Sequence, residues 1–208
     1  MKPTLRLVLG LLGLRRPETA VTEHETSLLV GLAHGVRAVV EVGVAEGATS
    51  ARLLEAMAPD GILYLVDPYP ARLRLETWLG VSGTERVARR AVRRFGRRAQ
   101  FVPLTSLEAA RGLETVVPPS LIFLDARHDY ESVAEDLRSW APRLETGGVI
   151  AVHDAMPCAS RPELDAEWGG CLAVSEALAS GWTLLSSLES LAVLAPSASS
   201  TASKPETS

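Results

Sequence analysis

Residues 37–66 read RAVVEVGVAEGATSARLLEAMAPDGILYLV. Arg37–Val42 is β-branched and does not alternate, the pattern of a strand buried on both faces. Gly43–Gly47 is a turn. Ala48–Met57 sets Leu53, Leu54 and Met57 on one side of a helix. Gly61 restarts the chain into Ile62–Val66, a second apolar strand closed by Asp67-Pro68. A strand, a helix and a second buried strand in this order define an α/β chain.

The same alternation continues outward. Upstream, Thr26–Ala33 has helical apolar spacing and stops at Gly35, a suitable residue just past a helix end. Downstream, Thr84–Phe95 is a helix with an intact apolar stripe. Arg86, Arg89, Arg90, Arg93, Arg94, Arg97 and Arg98 surround that stripe without interleaved aromatics, so they read as a solvated face. Strands follow at Gln100–Val102, Leu121–Leu124 and Gly148–Val152, and helices at Leu107–Leu113, Glu131–Trp140 and Cys171–Leu178. Trp182–Ser186 and Leu191–Leu194 form a terminal hairpin, so at least one of them is antiparallel. The expected fold is α/β: a Rossmann-like, doubly wound, mostly parallel seven-stranded sheet with an antiparallel C-terminal hairpin, in a single domain.

The chain has 208 residues, 47% hydrophobic and 22% charged, enough to bury a core without staples. A net charge of −4 disfavours an overall basic nucleic-acid binder. Cys158 and Cys171 do not make a disulfide framework, which fits a reducing, cytoplasmic setting. Leu5–Leu14 is too short and too interrupted to span a bilayer, and its charges follow the apolar stretch rather than precede it. It reads as an amphipathic helix that packs on the domain, supports a homodimer or touches a membrane surface. Three regions result: a helical appendage (1–21), the α/β domain (22–195) and a disordered Ser/Ala/Thr/Pro tail (196–208).

In such sheets, ligands bind beyond the carboxyl ends of the strands. After the first strand, Gly43 and Gly47 let the backbone turn and approach a ligand. The next helix start, with Thr49 and Ser50, offers donors to an anion. The stretch lacks the full G-x-G-x-x-G fingerprint and the Gly-Lys-Ser/Thr ending of a P-loop, which weakens NAD and ATP readings. Asp67 stands where an acid can accept hydrogen bonds from ribose hydroxyls. Glu41 is an acid inside an apolar strand, costly unless it has a partner. Asp125-Ala126-Arg127-His128 and His153-Asp154 bring carboxylates and imidazoles to two further strand ends. These side chains suit a divalent cation, a substrate hydroxyl, or both.

The acid in the first strand, the glycines after it and the acid ending the second strand resemble the class I S-adenosylmethionine methyltransferases. Asp125-x-x-His128-x-Tyr130, Asp136-Leu137 and Leu144-x-x-Gly147-Gly148-Val149-Ile150-Ala151-x-His153-Asp154 resemble one group in particular. That group is the small-molecule O-methyltransferases of the macrocin, mycinamicin and cephalosporin-hydroxylase-like kind, and the likeness covers roughly residues 22–195. The resemblance implies that Glu41, Gly43, Glu46, Gly47, Thr49 and Ser50 hold the methionine part of S-adenosylmethionine. It implies Asp67 at the ribose, Ser106 at the adenine edge and Asp125 beside the cofactor. Asp125, His153 and Asp154 would ligate Mg²⁺ or another divalent metal, and His128 would be the general base. His153 replaces a carboxylate found in some relatives, which also permits a metal-free site with His128 or His153 taking the proton.

The implied reaction is methyl transfer to a hydroxyl of a small natural product or sugar. Such hydroxyls are weak nucleophiles near neutral pH and need a base, a bound cation, or both. Tyr69, Arg72, Arg74, Trp78, Arg127, Pro157 and Trp168 lie in segments expected to form the acceptor pocket, where Trp168 either stacks on the acceptor or anchors the next helix. Two other readings stay open. One is a non-haem iron oxygenase, since two histidines and a carboxylate can bind Fe(II). The other is a non-catalytic protein on a methyltransferase fold.

Overall fold

The computed structural model describes residues 12–70 and 82–196, together with residues 5, 9 and 10. The tail residues 197–208 and the stretch 71–81, with Arg72, Arg74 and Trp78, lie outside the described residues. Residues 5, 9, 10 and 12 have helical backbone, as the amphipathic spacing requires.

The domain opens with α1 (Glu23–Ala33), three residues earlier than apolar spacing suggests. A capping box sets that start. Glu25 N donates to Thr22 Oγ1 at 3.2 Å, and Thr22 N donates to Glu25 Oε2 at 2.9 Å. β1 (Ala38–Val42), α2 (Ala48–Ala56) and β2 (Ile62–Val66) then follow as the opening stretch dictates. After the undescribed segment come α3 (Gly83–Val92), a 3₁₀ extension (Arg93–Arg98) and β3 (Ala99–Val102). Within the 3₁₀ extension the chain kinks at Gly96, whose positive φ of 57° glycine permits. α4 (Ser106–Gly112) carries a second capping box, Thr105 with Glu108. β4 (Leu121–Leu124), α5 (Tyr130–Trp140), β5 (Val149–Val152) and α6 (Gly169–Ala179) complete the alternation. β6 (Thr183–Leu188) and β7 (Leu191–Ala195) meet at a two-residue turn, tighter than the four-residue loop expected. Glu189 supplies the positive φ, 51°, that such a turn needs.

The sheet order is β3-β2-β1-β4-β5-β7-β6, parallel from β3 through β5 and antiparallel at β7 and β6. This is the doubly wound, Rossmann-like sheet with its C-terminal hairpin. Two apolar layers cover it. Val40, Val42, Ile122 and Ile150 pack under α4, α5 and α6 with Leu137 and Trp140. Val39, Leu63, Leu121 and Phe123 pack under α1, α2 and α3 with Leu29, Leu53 and Val92. All five residues of β1 are buried, hence its non-alternating sequence. The strand order reverses between β1 and β4, so the rim outside those two strands is the expected ligand crevice.

The arginines around α3 are not one solvated face. Arg98 reaches under α2 and donates to the carbonyls of Leu54 (2.8 Å), Ala58 (2.9 Å) and Gly61 (3.1 Å). It satisfies carbonyls that the end of α2 leaves without helical partners. Arg89 lies 4.1 Å over the Phe101 ring and pairs with Glu85, and Arg94 pairs with Glu55. Replacing Arg98 strands these carbonyls in a partly buried niche. Arg98→Ala is expected to lower unfolding free energy by about 1.5–3 kcal/mol, read by urea denaturation. Exposed Arg97→Ala should leave the midpoint unchanged.

Candidate active site

The ends of the parallel strands are laced together by the backbone. Gly43 N donates to Val66 O (2.9 Å), Asp125 N to Val42 O (2.8 Å) and His153 N to Leu124 O (3.0 Å). Each functional residue therefore leaves the sheet at the same level. Gly43 has φ 90°, and a Cβ there would fall 2.2 Å from the Asp125 carbonyl oxygen. Only glycine permits that approach. Gly47 begins α2 in left-handed conformation with φ 76°, and a Cβ on it would lie 3.2 Å from Ala88 Cα.

Asp67 organises the loop between these glycines. Its Oδ2 accepts from Val44 N (3.1 Å) and Ala45 N (3.2 Å), and its Oδ1 accepts from Tyr69 N (2.7 Å). Three of about four lone-pair sites are thus filled from the backbone, leaving capacity for one more donor. Glu41 is 1% exposed, on the sheet face toward α2. Burial pushes its carboxyl up to about 8. Ser50 eases that shift, while the charges of Asp125 and Asp67 add to it. Glu41 Oε2 and Ser50 Oγ are buried without a well-aligned hydrogen-bond partner among the described residues. Buried polar atoms in this state are rare and mark a place where a ligand or water completes the bonding.

Asp125, His128, His153 and Asp154 do converge. His153 Nδ1 is 3.0 Å from Asp125 Oδ1, off the axis of a good hydrogen bond, and 3.4 Å from Asp154 Oδ1. His153 Nε2 is 3.3 Å from Glu25 Oε2. The two imidazole rings lie 6.4 Å apart, edge to face. His128 Nε2 stands 3.9 Å from Asp154 Oδ2, with its side chain 30% exposed.

Several expectations change with this geometry. His153 is 1% exposed and has carboxylates at both nitrogens. Burial alone would lower its pKa, but hydrogen bonding to Asp125 and Glu25, with the Asp125 and Asp154 charges, lifts it to about 10. The flanking carboxylates favour its charged form, which suits neither a general base nor a metal ligand, roles that need a neutral ring. Glu46 faces away from a cofactor role. Its carboxylate receives Arg15 Nη1 at 2.7 Å and Nη2 at 2.5 Å, and Glu18 N at 2.9 Å. The Ser106 hydroxyl is turned between helices, donating to Asp136 Oδ1 at 2.5 Å and accepting from Trp140 Nε1 at 2.9 Å. Its side chain does not serve an adenine edge. Thr49 is buried and meets Thr19 Oγ1 at 3.1 Å. Tyr69 is in the core beside Phe101 rather than lining an acceptor pocket.

A divalent metal fits this donor set poorly. Both Asp154 oxygens are 3.0 Å from Arg161, Nη1 to Oδ1 and Nη2 to Oδ2. A divalent ion about 4 Å from that guanidinium would meet a repulsion of about 8 kcal/mol at an effective dielectric near 20. The imidazolium of His153 adds to it. Among the described residues no three His, Cys, Asp or Glu side chains converge in metal-ligand geometry. The same arrangement disfavours an Fe(II) centre on the two histidines.

Glu25, Ser190 and Arg161 are site residues that sequence reasoning missed. Glu25 accepts from Ser190 N (2.9 Å) and Ser190 Oγ (2.6 Å). Burial raises its pKa, but His153, Ser190 and the Thr22 backbone outweigh this and hold it at about 2. The Thr22-x-x-Glu25 capping box was the available signal, and it explains only half of what this carboxylate does.

These shifts fix a pH dependence. Glu25, depressed from 4.5 to about 2, contributes stability that is present above pH 4.5 and lost toward pH 2. His153, raised from 6.5 to about 10, contributes stability that is complete below pH 6.5 and lost as pH climbs to 10. Glu41, raised from 4.5 to about 8, adds to the alkaline decline between those values. Denaturant unfolding is expected to show maximal stability near pH 4.5 and a decline above it that steepens beyond pH 6.5. His153→Gln should flatten the limb above pH 6.5. A wild-type profile level from pH 6.5 to 9 would contradict the charged histidine.

Comparisons with known proteins agree with the fold. A family described as "Methyltransferase domain" matches residues 40–155. The "Probable O-methyltransferase Rv1220c" of Mycobacterium tuberculosis is 37% identical over 148 residues, 65% of this chain and 56% of that protein. A "Putative O-methyltransferase" of Mycobacterium bovis matches with the same figures. The chain thus spans about half the length of the curated relatives it matches. Among solved structures, the O-methyltransferase TomG of Streptomyces achromogenes in complex with SAM superposes with a TM-score of 0.64 at 18% identity. That superposition covers 95% of this chain and 91% of TomG. An O-methyltransferase of Bacillus cereus in complex with SAH gives 0.63 at 14% identity, covering 94% and 92%. With more than half of its length inside the family match, and with the sheet order and glycine loop that such a domain requires, the chain belongs to the methyltransferase-domain family.

Proposed function

We propose that this chain is an S-adenosylmethionine-dependent O-methyltransferase that acts on a hydroxyl of a small molecule, a natural product or sugar, in the cytoplasm. One observation carries the reading most: Glu41 Oε2 and Ser50 Oγ are buried without a well-aligned hydrogen-bond partner among the described residues, on β1 and α2 at either end of the Gly43–Gly47 loop. An ammonium group such as that of a methionine moiety satisfies both. Asp67, with one acceptor site left, takes a ribose hydroxyl. Gly43 and Gly47 keep the loop open to that molecule, and Thr49 and Ser50 sit in the first turn of α2 behind it. Asp125, sharing the rim with His153, closes the side toward the acceptor. These residues fit the cofactor.

When bound, the cofactor supplies an electrophilic methyl group on a sulfonium. The chain's own part is to hold the acceptor and take its proton. His128 suits that work because it is part-exposed at the rim, beside Asp154, and an imidazole can take up a proton and pass it on. Asp154 orients it and stabilises the imidazolium that forms. His153, already charged, holds Asp125 and Asp154 in place. Trp168 begins α6 with its indole N–H buried and unpaired among the described residues, at the edge of the same crevice. An acceptor oxygen there would satisfy it.

A small molecule rather than a nucleic acid is the proposed acceptor: the chain carries a net charge of −4, and Arg89, Arg94 and Arg98 are engaged with Glu85, Glu55, aromatic rings and backbone carbonyls. No described helix is long and apolar enough to cross a membrane.

Two measurements test the reading. Titration calorimetry with S-adenosylhomocysteine, run at pH 7 in buffers of different ionisation enthalpy, is expected to show binding with release of up to about one proton. Glu41 starts protonated and the ligand's ammonium draws it into its charged form. Glu41→Gln should bind without that release. Absence of binding by the wild type removes the assignment. In a methyl-transfer assay against a panel of small hydroxylated acceptors, His128→Ala is expected to cost roughly 10²- to 10⁴-fold in rate. Its homocysteine-nucleoside affinity should be unchanged, and a parallel loss of affinity would contradict its role.

A further inference from the structure

The β5–α6 connection and the first turn of α6 each come back onto Asp154 at the rim. Gly170 packs so closely on Asp154 that a Cβ there would lie 2.4 Å from the Asp154 carbonyl oxygen. Arg161 comes from the middle of the segment and closes a two-pronged ion pair on the Asp154 carboxylate, both contacts at 3.0 Å. Its third nitrogen, Nε, donates to Glu163 Oε1 at 2.6 Å, which fixes the fork from behind. The Asp154 side chain is 6% exposed and that of Arg161 is 30% exposed. Asp154 has φ 53°, a left-handed backbone unusual for a residue with a side chain. The Nη2–Oδ2 contact is aligned as a charge-assisted hydrogen bond, while Nη1 lies off the axis of one at Oδ1.

We propose that Arg161 is the built-in cation of this site. It occupies the side of Asp154 that a divalent ion would need and holds that carboxylate 3.9 Å from His128. The transferase therefore runs without metal. Arg161 is a positioning residue that acts on His128 through Asp154, and the inference rests on the methyltransferase reading given above.

The charge pattern supports this. Glu25, Asp125 and Asp154 bring three carboxylates around the His153 ring. Without Arg161, Asp154 has no guanidinium against it and its carboxylate lies open to a divalent cation. With Arg161 in place, a fixed positive charge lies 3.0 Å from both Asp154 oxygens, on the side a cation would take. Removing the arginine should turn a closed ion pair into an open cation site.

Binding of Mn²⁺, read by electron paramagnetic resonance of the free ion, decides the matter on the full chain. Wild type and Arg161→Lys are expected to bind no Mn²⁺ in the micromolar range. Arg161→Ala is expected to gain roughly tenfold or more in Mn²⁺ affinity, and the gain should vanish when Asp154→Asn is added. Wild-type methyl transfer should be unchanged by EDTA, and Arg161→Lys should retain more of it than Arg161→Ala. Tight Mn²⁺ binding by the wild type that Asp154→Asn removes, or transfer that EDTA abolishes and Mg²⁺ restores, overturns the proposal. A purely structural arginine would lower activity in both variants with no gain in Mn²⁺ affinity, and that result overturns it too. If Arg161→Ala does not fold, the wild-type and Arg161→Lys measurements still decide. Failure of the wild type to bind S-adenosylhomocysteine sinks the methyltransferase reading itself, an outcome separate from any Mn²⁺ result.

Discussion

The backbone of Asp125 lies where the side chain of residue 43 would be. That steric constraint brings the exits of β1 and β4 into contact, and the whole rim follows from it. On one side stand Glu41, the glycine loop and Asp67. On the other stand Asp125, His128, His153 and Asp154. A Cβ at position 43 would force these halves apart and separate cofactor-holding residues from acid–base residues. The parallel sheet alone does not achieve this closeness. It sets the strand ends at one level, and the missing side chain sets the lateral distance.

The fold was legible because the strands are buried on both faces. Ala38–Val42 and Leu121–Leu124 are apolar at every position but Glu41, and that exception points to the site. Helix starts were less legible. Apolar spacing sees a helix only where it touches the core, whereas α1 begins at a polar capping box one turn earlier. Arg98 looked like its neighbours in a basic run, yet it serves backbone carbonyls in another element. Ser106 and Glu46 had the right positions for cofactor contact, but each is claimed by a partner 30 or so residues away, Asp136 and Arg15. Position along a motif predicts where a Cα lies. It does not predict which of several neighbours a side chain will choose.

The acid cluster shows the same limit in electrostatic form. From sequence, Asp125, His153 and Asp154 count as ligands seeking a cation. In three dimensions the cluster already contains its cations, one from the β5 exit and one from the following segment. Buried carboxylates are tolerated only when paired and hydrogen-bonded. Here every one of them is reached by an imidazole, a guanidinium, or backbone and side-chain donors. The resulting network leaves His128 part-exposed, at the boundary between the protein's charge lattice and whatever enters the crevice.

The two-residue turn between β6 and β7 has a bearing on how the molecule is made. Ser190, in that turn, bonds to Glu25 across a separation of 165 residues. Synthesis at roughly 5–20 residues per second delivers Ser190 on the order of ten to thirty seconds after Glu25 leaves the ribosome's decoding centre. Until His153 is made, 128 residues after Glu25, the carboxylate has neither Ser190 nor His153 within the nascent chain. It does have Thr22, whose N–H lies three residues away in the capping box. The glutamate can therefore cap its own helix from the moment that helix forms, with a second oxygen held in reserve. The last hairpin to emerge from the ribosome then finds its acceptor already in position.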